Sequence, residues 1–459
     1  QRPRHSLGSG DSRRLSSGLG LMAVAVLSSA ASAQEQPREP APPVGPELLT
    51  LEECVVLALR HNSAVALEVG RLHEGQADLR VAESALYPRI SANLSYSQLD
   101  PDRLSPSGAS LPGITQFTGE TLATIRLRQL VIDGRSWPGR AASMLGVDVQ
   151  AANVLGSKAE VVYSVTVAYT RLLEAGNLVK VAEEALRRQV GFEELTAVYF
   201  KADKISRLDN LKAESQRMDA ERLLVAAREN ETLAQVLLRR TIGVALDRPV
   251  RTIDELQRTL QAPPLEADVL ASAMKNNPQL ARLVTQERQA EQARNAAWGE
   301  HLPELSVQAS YGVRHRDVGG AAGEYYFGLF LEVPIFAGLS VDGQVNRMEA
   351  RHEQVEAARD AFEAQLHVDV REALTGWRIA LASAQFATKA VQVNREALDA
   401  AKTYFESGKA TALDILTSQT ELVRAEAAYV QALGDVAIAR AKLTRITGGV
   451  MPTRVEGSR

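Results

Sequence analysis

The chain has 459 residues, of which 45% are hydrophobic and only 5% aromatic, and its formal net charge is −4. The hydrophobic content excludes wholesale disorder, and the mildly acidic charge gives no support for nucleic-acid binding. Long stretches rich in Ala, Leu, Glu, Arg and Gln favour long helices over a thick globular core.

Residues 1–33 have the pattern of a secretory signal peptide. A basic pair at 13–14 precedes an apolar run at 19–27, and the small residues 31–33 form a cleavage pattern. The apolar run of about nine residues is too short for a transmembrane anchor, which needs about 20. The next segment, 34–47, is a Pro-rich leader that we expect to be extended.

The sequence contains a single cysteine, Cys54, which excludes an intrachain disulfide. Cys54 lies well past the predicted cleavage site and inside a helical pattern, so it is not the lipid-bearing first residue of a mature lipoprotein. We interpret it as a small apolar residue on a helix face.

The sequence contains an internal duplication of about 200 residues. Residues 86–91 align with 301–306 at an offset of 215, and residues 240–243 align with 445–448 at an offset of 205. One register held over such distances indicates two copies of one unit. The predicted divisions after the leader are a first repeat at 48–248, a second repeat at 249–448 and a flexible tail at 449–459.

Each repeat has the same predicted order: a helix, two strands, a very long helix, a turn and a long returning helix. The first helix begins at Thr50, with Glu52 and Glu53 at its positive end, and ends at Tyr87 before Pro88. The other predicted helices are 139–200, 206–242, 268–301, 341–405 and 411–447. A helix of about 60 residues extends about 90 Å, so these helices must pack lengthwise as coiled coils.

Four strands with a two-residue period are predicted, two in each repeat. Their alternating patterns cover about 90–97, 121–131, 305–314 and 324–333. Each has about 10 or 11 residues with one polar and one apolar face, as in a strand that crosses an outer membrane. Four strands cannot close a barrel, and an open edge is not tolerated in lipid, so subunits must share them to give about 8, 12 or 16 strands. The alternative is a soluble hairpin that packs its apolar face on a helix.

Several motifs resemble the TolC family of outer-membrane factors. They are residues 49–53 and 58–62 at the opening, 86–90 at a helix-to-strand junction, 334–339 at a strand-to-helix junction, and 404–408 with 413–416 at the periplasmic tip. Their order, spacing and duplication carry the resemblance, which covers about residues 48 to 448. It implies a mainly α fold with a membrane β-barrel contribution, in which four strands and long antiparallel coiled-coil helices per chain form a trimeric α/β-barrel channel.

The same resemblance implies a function. It implies a homotrimer in the outer membrane with twelve barrel strands and with twelve tunnel helices in the periplasm. The partners implied are a periplasmic adaptor protein, an inner-membrane pump of the resistance-nodulation-division or ABC type, and outer-membrane lipid, with no nucleic acid. Substrates of efflux or type I secretion leave through the lumen. The subunit is not an enzyme and needs no cofactor, because the energy comes from the pump.

The family closes its tunnel at the periplasmic tip with aspartate rings and contacts between helices. The positions that match are Asp209 and Asp414, together with Thr417, where another Asp often stands, and Phe405, where some members use Tyr. A ring of like carboxylates repels itself and attracts cations. The alternative role of Asp209 and Asp414 is that of an acid near the helix dipole at a helix N-terminus.

Adaptor docking is expected, by the same resemblance, at the two tips, 200–209 and 405–414. The candidate docking residues are Lys201, Asp203, Lys204, Gly408 and Lys409. The first tip lacks the glycine that the second tip has at Gly408.

Two other classes of protein have less support. An enzyme is not indicated, because the histidines after residue 33 show no metal-ligand spacing and no phosphate-binding Gly loop or nucleophile elbow occurs. A periplasmic structural coiled-coil protein without a pore would explain the helices but would leave the four strands without a role. Within the channel class, the sequence does not separate drug, metal and protein substrates.

Overall fold

The structure, a computed structural model, describes residues 48–98, 119–245, 251–252, 256, 261–316 and 320–449. The predicted signal peptide, the Pro-rich leader, the boundary between the repeats at 248 and most of the tail lie outside these ranges. No described helix has an apolar stretch long enough to cross a membrane.

Both repeats contain the same elements in the same order. The first repeat comprises β1 (Leu48–Leu49), α1 (Leu51–His61), α2 (Ser63–Glu83), β2 (Arg89–Gln98), β3 (Gly119–Ile132), α3 (Ser136–Lys201) and α4 (Arg207–Ile242). The second comprises β4 (Arg251–Thr252), α5 (Glu266–Asn276), α6 (Pro278–Trp298), β5 (Glu304–Arg316), β6 (Gly320–Glu332), α7 (Ser340–Glu406) and α8 (Ala412–Ile446). With 66 and 67 residues, α3 and α7 each extend about 100 Å.

The first helix of each repeat is interrupted, so the prediction of one continuous helix was wrong. Asn62 and Asn277 have ψ angles of 127° and 120°, and each side chain caps the helix that follows. Asn62 Nδ2 also donates to Thr241 O at 2.8 Å, and Asn277 Nδ2 donates to Ile446 O at 2.9 Å. The break is decided by these bonds to the returning helices, since a carbonyl left unpaired at a partly buried helix end costs free energy.

A glycine closes each of these junctions. Gly243 and Gly448 have φ angles of 85° and 66°, a region that favours glycine. A Cβ on Gly243 would lie 2.8 Å from His61 O, and a Cβ on Gly448 would overlap Asn276 O. The backbones therefore approach too closely for any other residue, at equivalent places in the two repeats.

The four long strands form one antiparallel sheet in the order β2-β3-β5-β6. They have 10, 14, 13 and 13 residues, so three are longer than the predicted 10 or 11. The extra length arises because pairing continues into residues that the sequence pattern assigned to turns, such as Arg316 opposite Glu120. A bulge between Leu130 and Ile132 interrupts the β3–β5 ladder near its end.

The helices form two antiparallel hairpins, α3 with α4 and α7 with α8, and α3 also packs along α6 and α8. Apolar side chains are buried in separate clusters along these helices, as predicted for lengthwise packing. Cys54 is fully buried in the cluster that joins α1 to α3 and α4, where it acts as a small apolar residue.

Candidate functional site

One face of the sheet is apolar and exposed. The register places Ile90, Leu127, Ala309 and Phe327 in a single row across all four strands. The side chains of Phe327 and Tyr325 on β6 are 69% and 87% exposed. A continuous apolar surface of this kind marks a contact with lipid or protein, and strands of this length suit the thickness of a bilayer. None of the described helices covers this face, so the described part of the chain does not support the alternative of a soluble hairpin packed on a helix.

The opposite face of the sheet is polar and charged. Arg314 Nη2 lies 2.9 Å from Glu324 Oε1, and Arg316 Nε lies 3.0 Å from Glu120 Oε2. These pairs cross from β5 to β6 and to β3. Alternation of an apolar outer face with a charged inner face is the pattern of a barrel strand around an aqueous lumen.

The sheet has two open edges. Among the described strands, β2 and β6 each pair on one side only. In the hydrocarbon of a bilayer, the unpaired backbone groups of these edges have no water to bond. Since β2 and β6 run in opposite directions, β6 of one copy is suited to antiparallel pairing with β2 of another.

The far ends of the long helices form two tips with equivalent backbone geometry. Asp203 in the first turn has a φ of 52°, and Gly408 in the second turn has a φ of 74°. The first tip therefore adopts the left-handed turn without the glycine, because Asp tolerates this conformation better than most residues do. Lys201, Lys204 and Lys409 are exposed around these turns.

The two candidate gate aspartates both lie in the first turn of a returning helix. Asp414 accepts hydrogen bonds from Thr411 N and Thr411 Oγ1, both at 2.7 Å, in a capping box. The bond from the Thr411 backbone, followed by that from the Thr411 hydroxyl, lowers the pKa of Asp414 below its ordinary value. Asp209 accepts from Ser206 Oγ at 2.7 Å. Both aspartates thus act as helix N-terminal acids, whatever other role they have.

Phe405 is buried between the two hairpins. Its ring stacks on Tyr199, with centroids 5.6 Å apart, and meets the ring of Phe192 edge-on at 5.9 Å. The Nζ atom of Lys204 lies 5.5 Å from the centroid of Tyr199. The sequence matched Phe405 to a gate position but did not indicate these aromatic partners, which come from the other repeat. The fourth candidate gate residue, Thr417, is exposed on α8 one turn after Asp414.

A cavity of about 550 Å³ separates the two turns of the tip. Lys204, Ser206, Asp209, Gly408 and Thr411 are among its lining residues. The structure therefore brings two candidate gate residues, Asp209 and Phe405, together with two candidate docking residues, Lys204 and Gly408. No group of three His, Cys, Asp or Glu side chains in the described ranges is arranged to hold a metal ion.

Helices α4 and α7 each carry an exposed apolar stripe that was not predicted from the sequence. On α7 the stripe contains Ile379, Phe386 and Val393, and on α4 it contains Leu211, Met218 and Val225. Both stripes repeat every seven residues, the spacing of a coiled-coil seam, so a heptad count would have found them. We name them the α7 stripe and the α4 stripe. The described partners of α4 and α7 within the chain lie on their other faces.

The sheet has two open edges, one apolar face suited to lipid and one charged face, and it is joined to helices of about 100 Å. These features together define a subunit of an outer-membrane channel. Residues 269–449 match the family described as outer membrane efflux protein. The chain is 24% identical over 405 residues to the outer membrane efflux protein BepC of Brucella suis. The matched region covers 87% of this chain and 85% of BepC. The second repeat therefore matches the outer membrane efflux protein family, and the chain is similar to an outer membrane efflux protein over most of its length.

Solved structures share the fold. The outer membrane protein VceC of Vibrio cholerae superimposes with a TM-score of 0.75 at 19% identity, over 87% of this chain and 96% of that one. The CmeC outer membrane channel of Campylobacter jejuni gives a TM-score of 0.77 at 16% identity, over 87% and 85%. The predicted fold class and the location in the outer membrane, with a helical tunnel in the periplasm, are confirmed.

Proposed function

We propose that this chain is the outer-membrane subunit of a tripartite efflux or type I secretion system and that it works as a homotrimer. The observation that carries this proposal is a four-stranded sheet with one exposed apolar face and two open edges. In lipid such a sheet is stable only when copies of the chain join their edges into a closed barrel. Substrates would then pass along the charged face and through the tunnel of long helices.

The α4 and α7 stripes support self-association through the helices. Val225 lies 18 residues after the first residue of α4, and Phe386 lies 20 residues before the last residue of α7. The two side chains are therefore at nearly the same height above the tip. An antiparallel contact between α7 of one copy and α4 of the next would bury both stripes. Three copies are favoured over two or four by the family resemblance.

The partners follow from the proposed role. We expect a periplasmic adaptor to dock at the tips, through Lys201, Asp203, Lys204, Gly408 and Lys409, because all five are exposed at the turns and two of them, Lys204 and Gly408, line the cavity between the turns. An inner-membrane pump of the resistance-nodulation-division or ABC type would supply the energy. The gate would close at the level of Asp209, Phe405, Asp414 and Thr417, where the helices end.

The proposal is tested with the full chain, exported in a Gram-negative host. We expect the protein to fractionate with the outer membrane, to need detergent for extraction, and to migrate as three cross-linked copies. In planar bilayers it should form pores of steady conductance. A protein that is released without detergent, or that gives no conductance at any pH, would contradict the proposal and favour a periplasmic rod.

A further inference from the structure

A second cavity, of about 510 Å³, lies where the sheet meets the first turns of α3. Four guanidinium side chains line it, those of Arg89 on β2, Arg128 on β3, and Arg135 and Arg140 at the start of α3. Arginine is the side chain best suited to bind phosphate and carboxylate groups, because its planar fork of donors matches their oxygen atoms. The cavity is therefore a candidate anion site.

The carboxylates near this cavity already have partners. Glu304 accepts from Arg128 Nη2 at 2.9 Å and from Arg135 Nη2 at 3.1 Å. Asp133 Oδ1 lies 3.3 Å from Arg135 Nε, and Glu83 Oε1 lies 2.9 Å from Arg140 Nη2. These three acids are thus shared among Arg128, Arg135 and Arg140, and none of them bonds to Arg89.

Two arginines, Arg89 in the lining and Arg126 beside it, have no carboxylate partner among the described residues. Arg89 stands directly opposite Arg128 in the β2–β3 ladder. Arg126 lies two residues from Arg128 on β3, on the same face and opposite Ser91. Neither Arg89 nor Arg126 forms an ion pair among the described residues, and both are exposed. Like charges directly opposite on a sheet are destabilising, so this arrangement is stabilised when an anion lies between them.

We propose that this cavity binds an anionic group, a phosphate or carboxylate, of the molecules that pass through the channel. The inference rests on the proposed function, because only a closed barrel makes the charged face the wall of a pore. Arg89 and Arg128, which line the cavity, and Arg126, two residues along the same face of β3, would supply the donors that contact the anion. Closure would place one such site in each copy at the same height, forming a basic ring where the barrel meets the tunnel.

One further acid on this face needs to be considered. Glu332 stands opposite Glu304 at the β6 edge, so closure of the barrel would bring it toward Arg89 of the next copy. If it paired there, Arg126 beside the cavity and the remaining donors of Arg128 in its lining would still be available to an anion. Removal of Glu332 should then strengthen anion binding, which provides a variant with an effect opposite to that of arginine removal.

The test uses the full protein in planar bilayers of phosphatidylcholine, with inorganic pyrophosphate as the probe. This lipid has no net charge, so block of the current comes from the probe and not from an anionic headgroup. We expect pyrophosphate to reduce the current, and we expect the variant Arg89→Gln/Arg126→Gln to raise the half-blocking concentration about tenfold or more. Glu332→Gln should lower it. Arg222→Gln, a substitution of an exposed arginine on α4, is the matched control and should leave it unchanged.

The outcomes separate this inference from the proposed function. If no pore forms with the unmodified protein, the proposed function fails. If pores form but pyrophosphate blocks no better than chloride at equal ionic strength, or if the double variant is blocked as easily as the unmodified protein, the anion site is overturned. Calorimetric titration of the detergent-solubilised protein with pyrophosphate measures binding independently of conductance, and it should show the same order of variants.

Discussion

The ring of Phe405, in the last turn of α7, stacks on the ring of Tyr199, in the last turn of α3, with centroids 5.6 Å apart. This contact joins the two helical hairpins of one chain at their tips. The ring of Phe192 also contacts Phe405, edge-on, with ring centroids 5.9 Å apart. Because the two hairpins belong to different repeats, the contact resists their separation at the level of the proposed gate.

Phe405→Ala should loosen the tip. Truncation of a buried Phe typically costs about 3–5 kcal/mol, and here the loss falls on the contact between hairpins. We expect a larger single-channel conductance and faster hydrogen exchange in the turns, with little change near the sheet. Phe405→Leu, which keeps most of the apolar volume, is the control. An unchanged conductance together with faster exchange would mean that the cluster stabilises the tip without restricting the pore.

Asp414→Ala should weaken block of the pore by divalent cations or raise its conductance. A ring of carboxylates at the tip would attract cations, and the variant removes one carboxylate from each copy. We expect the half-blocking concentration of Mg²⁺ to rise about twofold or more. Asp209→Ala should act in the same direction, whereas Asp399→Ala, a change of an exposed acid on α7, is the control. If neither block nor conductance changes, Asp414 is only a helix-capping residue.

The carboxylate of Asp414 should also make the stability of the second tip depend on pH. The pKa of Asp414 is lowered in the folded protein, first by the Thr411 backbone and then by its hydroxyl. The capping box therefore stabilises the tip fully above the ordinary carboxyl pKa, and this contribution is lost as pH falls through the lowered pKa. Amide exchange at the start of α8, corrected for intrinsic rates, should accelerate across that acidic range. Thr411→Val should show faster exchange already at neutral pH and less change with acid.

Cysteines at Val225 and Phe386 should cross-link neighbouring copies. The two side chains lie at matching heights on the α4 and α7 stripes, and α3 and α8 separate these helices within one chain. In a Cys54→Ala background, we expect oxidation to give covalent dimers and trimers on denaturing gels. The pair Met218→Cys with Ile379→Cys is exposed to a similar degree but differs in height by about 24 Å, so it should not cross-link. Equal cross-linking of both pairs would contradict the proposed contact.

Gly434→Ala should destabilise the helices, against the usual effect of removing a helical glycine. A Cβ at Gly434 in α8 would overlap the carboxylate of Glu174 on α3, which is 5% exposed and bonds to Arg171 Nη1 at 2.7 Å. Burial is the main cause of the raised pKa of Glu174. We expect a loss of about 1–3 kcal/mol in the free energy of unfolding, seen as a lower melting temperature of the helical signal.

The control for this prediction is another helical glycine with open space around it. Nothing lies within 4 Å of a Cβ added to Gly376 in α7, so Gly376→Ala should be neutral or should stabilise by up to about 1 kcal/mol. Adding Glu174→Ala to Gly434→Ala should recover part of the loss by removing the overlap. If Gly434→Ala melts like the unmodified protein, α3 and α8 separate more easily than the close approach of Glu174 to α8 implies.

The long elements could be predicted closely from the sequence. The bounds expected for the longest helix, 139–200, agree with Ser136–Lys201 to within a few residues, because a heptad-like pattern without proline has no other stable form. The break at Asn62 was missed, since the cap depends on a carbonyl of residue 241, which is 179 residues away in the chain. The docking and gate residues proposed at the tips remain predictions.

The sequence by itself determined that this chain forms amphipathic strands and helices too long for a globule, and that four strands require further copies. These conclusions follow from periodicity and length, which are local properties of the chain. Only the tertiary structure decided that Arg89 faces Arg128, that Phe405 packs on Tyr199, and that the α4 and α7 stripes lie uncovered at matching heights. Each of these depends on the register between segments distant in sequence, which is set by side-chain packing across the interface and not by local propensity.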